Sequence, residues 1–364
     1  MTTNAYRQVI AAHPRDRLDL FLATANRLGT PVGNIEKDFW VCWTLDALYH
    51  RLPEGGPRLL FKGGTSLSKA YGLIERFSED IDVTVFRDDL DEPASIEELQ
   101  ALTKKQRKAK LDAIRDACRA YITGPLRESL TAAFAHDTEG AGRIEVDTND
   151  PDGQTLLVWY PEVESRDGAY VRPAVRIESG AKSALDPNRP TLIHPYIAED
   201  ATDLDLSVPD VTTIEASRTF WDKMVIAHGL RRWYERRNVL RQEGQRISRH
   251  YYDLHCLLET DAGRAALSNP ELAADCVQHA QMFFDRPDYD LASAKPGSFA
   301  ILPIGGMIDA LSRDYENTTA MIFGTPPTFD QLLASAQALD VAVNTQHAYP
   351  SLSRHENSRV SAKT

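Results

Sequence analysis

Residues 61–86 read FKGGTSLSKAYGLIERFSEDIDVTVF. An apolar run ends on Gly63 and Gly64, a short helical stretch follows, and Asp80 and Asp82 then open a run rich in β-branched residues. Glycines behind a strand let the backbone turn sharply and approach a ligand closely. Thr65 and Ser66 then fall at a helix start, where free N–H groups and hydroxyls bind phosphate oxygens. The pair alone is weak evidence, because most Gly-Gly dipeptides simply make turns. It fits neither familiar phosphate loop: Lys69 is misplaced for GxxxxGK[ST], and a dinucleotide fingerprint needs a third spaced glycine. The acids sharpen the reading. Alternate residues of a strand face one side, so Asp80 and Asp82 project together while Ile81 packs inward. Two like charges held there repel unless a cation neutralises them. Mg²⁺ takes such ligands, with phosphate oxygens and water completing its shell. A lone DxD is commonly a solvated strand start; after a glycine corner and a helix, metal binding is favoured.

A third acid would complete the site. Glu178, in AVRIESGAKS, lies on an apolar strand between core-like residues and is favoured over Glu145 in RIEVD. Arg76 just before the acids, Lys182 four residues past Glu178, and Lys69 one turn along the short helix are phosphate-binding candidates.

The rest of the chain places this stretch in an α+β fold. The first fifty residues read as helices, and RLLFK, IDVTVF, GRIEVD, TLLVWY, VRPAVRIES and VTTIEAS as strands. One long polar helix over residues 96–134, carrying KKQRKAK, reads as a surface insertion. From Ser217 the strand signals nearly vanish. Strands first and helices afterwards predict two lobes with a cleft between them. The expected division is 1–214 for the amino-terminal helices and α/β core, 215–350 for a helical lobe, and 351–364 for a frayed polar tail.

Composition narrows the function. The 364 residues are 42% apolar, with a formal charge of -12, so any nucleic-acid contact must use a local basic face. The strongest such faces are KKQRKAK and GLRRWYERRNVLRQEGQRISR, read either as solvated helix surfaces or as a grip on RNA through arginines and aromatics. No apolar run reaches the roughly 18 residues of a membrane span, and the amino terminus lacks a secretory pattern. The four cysteines are scattered without CxxC spacing, as buried thiols of a reducing cytoplasm would be. His228, His250 and His255 form neither HExxH nor a zinc set.

KGGTSLSKAYGLIERFSEDIDV resembles the nucleotidyltransferase AbiEii/AbiGii toxin family, a branch of the DNA polymerase β-like superfamily. That pattern is a glycine pair, Asp-x-Asp and a later third acid, for which this chain offers Glu178 where aspartate is usual. TFWDKMVIAHGL matches a helical lysine motif at Lys223, SRHYYDLHCLL a terminal aspartate motif at Asp253, and EKDFWV, with Lys37 and Asp38, the family's amino-terminal helix. The resemblance spans roughly residues 33–260. It implies a polymerase β-like core of mixed sheet and helices, and two Mg²⁺ ions, with Mn²⁺ as the alternative, held by Asp80, Asp82 and Glu178. It also implies an NTP substrate, transfer of NMP to the 3′ end of tRNA or another RNA, a separately encoded antitoxin that need not bind the toxin, and phage defence. In that scheme Glu178 is a metal ligand or the base. Gly63, Gly64, Thr65 and Ser66 hold the triphosphate. Lys223, which alone would read as a snorkelling lysine, points at a phosphate with Asp253 orienting it. Two alternatives stay open: transfer to a protein or small-molecule hydroxyl, and a silent nucleotide-binding module. The intact Gly63-Gly64, Asp80, Asp82 and Lys223 argue against the silent module.

Overall fold

The computed structural model describes residues 5–163, 173–241 and 246–345. The expected frayed tail, residues 351–364, lies outside the described residues. Helices α1 (Ala5–Ala11), α2 (Pro14–Leu28) and α3 (Val32–His50) lead into β1 (Leu59–Lys62), α4 (Gly63–Lys69) and β2 (Asp80–Val85). Then come α5 (Ile96–Ala101), α6 (Lys104–Tyr121) and α7 (Arg127–Thr138), and the strands β3 (Arg143–Val146), β4 (Thr155–Trp159), β5 (Ala174–Gly180), β6 (Asn188–Ile193) and β7 (Val208–Ile214). Six helices follow: α8 (Ala216–Arg237), α9 (Arg249–Leu258), α10 (Asp261–Leu267), α11 (Pro270–Phe283), α12 (Gly306–Thr319) and α13 (Phe329–Thr345). The fold is α+β. Among the described residues no helix is long and apolar enough to cross a membrane.

The single helix expected over 96–134 is three. Thr103 and Gln106 form a reciprocal capping box that starts α6 afresh. A π-helical turn, Ile122–Leu126, joins α6 to α7 and contains Pro125, which lacks the N–H an α-helix would use there.

The seven strands form one mixed sheet in the order β3-β4-β5-β2-β1-β7-β6. β2 is central, antiparallel to β1 and parallel to β5. This register brings residues distant in sequence together: Asp82 lies opposite both Lys62 on β1 and Glu178 on β5, and Asp80 opposite Arg176.

Buried apolar side chains gather in two clusters. One packs α3 against the sheet through Phe39, Trp40, Trp43, Phe61, Ile81 and Ile177, with Trp40 stacked on Tyr160 at 5.4 Å. The other joins the later helices through Phe220, Met224, Leu254, Leu257 and Leu311, and takes in Leu67 and Ile74. Leu67 lies on α4, so the glycine corner is anchored on one side by the sheet and on the other by the helical cluster.

Candidate active site

Gly63 has a φ of +80°, a conformation that costs other residues strain, and a Cβ there would fall on the Asp82 carboxylate. A Cβ on Gly64 would fall on the Arg76 guanidinium. Both glycines are therefore required by side chains that close over the backbone. The hydroxyls behind them turn inward, contrary to the expectation of phosphate contact. Thr65 donates to the Asp80 carbonyl and shares a 2.6 Å hydrogen bond with Ser78, and Ser66 donates to the Gly63 carbonyl at 2.9 Å. Lys69 departs further from expectation: its ammonium is buried 2.7 Å from Asp38 and 3.8 Å from the centre of the Tyr196 ring. Asp38 also accepts the Tyr196 N–H at 2.7 Å. Lys69 thus ties α4 to α3 and has no free charge for a phosphate. Lys37 on α3 donates to Glu79 at 2.7 Å, just ahead of the acids, and Arg246 donates to the same carboxylate at 2.9 Å.

Gly63, Gly64, Asp80, Asp82, Glu178, Lys182 and Lys223 line one cleft of ≈ 1280 Å³. Arg176 donates to Glu178 at 2.9 Å and also reaches Asp147 at 3.4 Å, while Lys62 stands 3.8 Å from Asp82. Withdrawal from bulk water, then the charges of Asp82 and Asp80, push the Glu178 carboxyl up to about 7. Burial, then Glu79, raises Asp80 too. Three carboxylates on adjacent strands, short of neutralising charge, fit a hard cation whose shell a substrate's oxygens would complete. As they stand, no three or more His, Cys, Asp or Glu side chains among the described residues are grouped closely enough to hold a metal ion by themselves. The rival acid Glu145 is engaged elsewhere, accepting from Trp159 at 2.7 Å and Arg143 at 3.1 Å.

Lys223 of α8, Asp253 of α9 and Arg76 from the α4–β2 connection form a buried charge triad. Arg76 grips Asp253 through two bonds of 2.7 and 2.9 Å, and Lys223 meets the same carboxylate at 2.8 Å. Burial opposes ionisation of Asp253, but Arg76 and Lys223 outweigh it and hold the carboxyl well below its ordinary range. Burial lowers the Lys223 pKa, Asp253 restores part of the loss, and the like charge of Arg76 lowers it again. Arg76, expected from the sequence to meet a phosphate, lines the same cleft and is held there by Asp253. His250 and Arg249 line the cleft beside this triad, and the His250 Nδ1 is buried without a hydrogen-bond partner among the described residues. Arg249 closes the second basic run of the sequence, whereas the histidine spacing gave no sign of a role for His250.

The basic runs divide. Lys104, Lys105, Arg107 and Lys108 of α6 line the cleft, so the insertion is part of its wall. In the second run Arg231 and Arg232 pair with Glu235 at 2.9 Å each and Arg237 with Asp288 at 2.6 Å. Arg241 and Arg249 face the cleft, and residues 242–245 lie outside those described. Lys62 and Arg286 also line it. The position of Lys62 beside Gly63 could have flagged it; nothing in the sequence marks Arg286.

No curated protein matches the chain by sequence. Among solved structures it is similar to MenT4, a nucleotidyltransferase toxin from Mycobacterium tuberculosis, at 16% identity and a TM-score of 0.40, over 89% of this chain and 97% of that one. The model of the nucleotidyl transferase AbiEii toxin family, of type IV toxin–antitoxin systems, matches residues 46–335, most of the length; this chain belongs to that family and is a nucleotidyltransferase toxin.

Proposed function

We propose that the protein transfers NMP from an NTP to the 3′ end of an RNA, tRNA above all, in a divalent-metal-dependent reaction that arrests translation and serves phage defence. The observation carrying this reading is the shared cleft of Asp80, Asp82 and Glu178 with Lys223. In this reading Asp80, Asp82 and Glu178 hold Mg²⁺, which when bound would neutralise the triphosphate and acidify the attacking hydroxyl. Gly63 and Gly64, whose missing side chains let Asp82 and Arg76 close over the backbone, line the cleft beside the β- and γ-phosphates. Lys223 donates to a phosphate oxygen; Asp253 fixes its direction and Arg76 fixes Asp253. Glu178, whose carboxyl burial and then Asp82 and Asp80 push up to about 7, would hold the metal as its carboxylate. Lys182 is a second phosphate contact. Phosphoryl-type transfer asks for positioning and charge neutralisation more than covalent help, and these groups supply both. The two apolar cores are, in this reading, the two lobes between which the substrates lie.

The acceptor is tested by incubating the protein with each α-labelled NTP, Mg²⁺ and total RNA in a cell extract, then separating RNA, protein and small molecules. Label at RNA 3′ ends is the expected outcome. Label confined to protein or to a small-molecule hydroxyl would reject the RNA reading.

A further inference from the structure

The cleft exceeds what one nucleotide needs. Small-ligand sites run to about 300–1,000 Å³, whereas this one holds ≈ 1280 Å³. The acids, the glycine corner and Lys223 account for only part of its wall. Elsewhere the wall has another chemistry. Lys104 and Lys105, at the start of α6, are exposed, and neither has an ion-pair partner among the described residues. Arg107 donates to the Met282 sulfur at 3.0 Å, which joins α6 to the end of α11 in one rim. Phe284 follows on that rim with 45% of its surface exposed, and Arg286 comes two residues later. Arg241 reaches the cleft after α8, its guanidinium 5.2 Å from the Tyr289 ring and 5.5 Å from Trp233. Burial, then the like charge of Arg286, lowers the Arg241 pKa, so the two arginines crowd one another. Asp285 is the acid on this rim.

Spaced cations beside an open aromatic face match a chain of phosphates carrying unstacked bases. A duplex keeps its bases stacked within and offers no face to Phe284. We infer that this rim is the acceptor subsite. It takes the unpaired 3′-terminal nucleotides of an RNA strand, with Lys104, Lys105, Arg241 and Arg286 on phosphates and Phe284 under a base. This assignment rests on the nucleotidyl-transfer reading above.

The test measures binding of a fluorescent single-stranded RNA oligonucleotide, and of a blunt duplex of the same sequence, by anisotropy across a salt series. Lys104→Ala/Lys105→Ala is expected to weaken single-strand binding about tenfold at low salt. It should also reduce the slope of log K against log salt by about one to two. Phe284→Ala is expected to weaken binding about fivefold and leave the slope unchanged. Thermal shifts by each Mg²⁺–NTP should match wild type in both variants, which separates lost contacts from misfolding. Three results would overturn the subsite: unchanged RNA affinity in both variants, duplex bound as tightly as the single strand, or variants that reduce labelling of a protein acceptor and not of RNA. Failure of the underlying reading looks different, since wild type would then transfer label to no RNA while the binding contrasts remained measurable.

Discussion

Asp253 carries a concentrated charge balance. It is fully buried, and two cations, Arg76 and Lys223, share its two oxygens. Removing one side of such a buried pair costs about 3–5 kcal/mol, because the remaining charge is left desolvated. Asp253→Asn should therefore lower unfolding stability by that amount in urea titrations, and an unchanged midpoint would contradict the triad. Glu178 makes a separate prediction. Its folded-state carboxyl holds a proton up to about 7, against an ordinary value of 4.5. Between those limits the folded chain binds more protons than the unfolded one, so stability falls as pH rises through the window. A bound divalent cation stabilises the ionised form and reverses the loss. Mg²⁺ should then raise Tm clearly at pH 8 and little at pH 5.5, and Glu178→Gln should flatten the difference; equal Mg²⁺ shifts at both pH values would count against metal binding there. Asp80 and Asp82 could be singled out in the sequence because strand alternation after a glycine corner is a local pattern; Lys223 took its role from the motif resemblance, since a lone lysine in an apolar helix reads as snorkelling. The partners of Arg76 and Lys69 are not legible in the sequence, because spacing along one element says nothing of Asp253 and Asp38, which come from other elements.

At the scale of elements, the β1–α4 corner decides where the acids point. Gly63→Ala must adopt a left-handed backbone, at about 1 kcal/mol or more, and its methyl would displace the Asp82 carboxylate. A displacement near 1 Å at the reacting centre costs about a hundredfold in rate. The variant should fold, lose transfer by about that factor and bind the metal poorly; near-normal kcat would show that the corner does not set Asp82. Lys69 gives the contrasting case. Lys69→Met leaves Asp38 buried without its cation, so stability should fall by about 3 kcal/mol, while KM for NTP in the folded enzyme stays within about twofold. A large rise in KM alone would return Lys69 to the phosphate site. The element order itself was legible, since β-branched runs and helical spacing are visible over a few residues. The break in the 96–134 helix was not, because Thr103 with Gln106 and Pro125 act through capping and a π turn that a long polar periodicity masks.

Over the whole molecule, the sheet brings acids and the helical cluster brings Lys223 and Asp253, and α4, anchored in both, holds the two sets across one cleft. After β7 the elements are helices, the order that the strand signals of the sequence implied. The return of α6 onto α11 was hidden, because a solvated basic helix face and a cleft wall have the same sequence pattern; the Arg107–Met282 contact and the cleft-lining lysines of α6 separate them. The central claim is that Asp80 and its partners hold a metal-bound triphosphate for nucleotidyl transfer. Its most direct measurement is the rate of label transfer from an α-labelled NTP in the presence of Mg²⁺, for wild type and for Asp80→Ala. The account predicts transfer by wild type that chelation abolishes, and a loss of at least about a thousandfold in the variant. Asp80→Ala transferring label at the wild-type rate would contradict it.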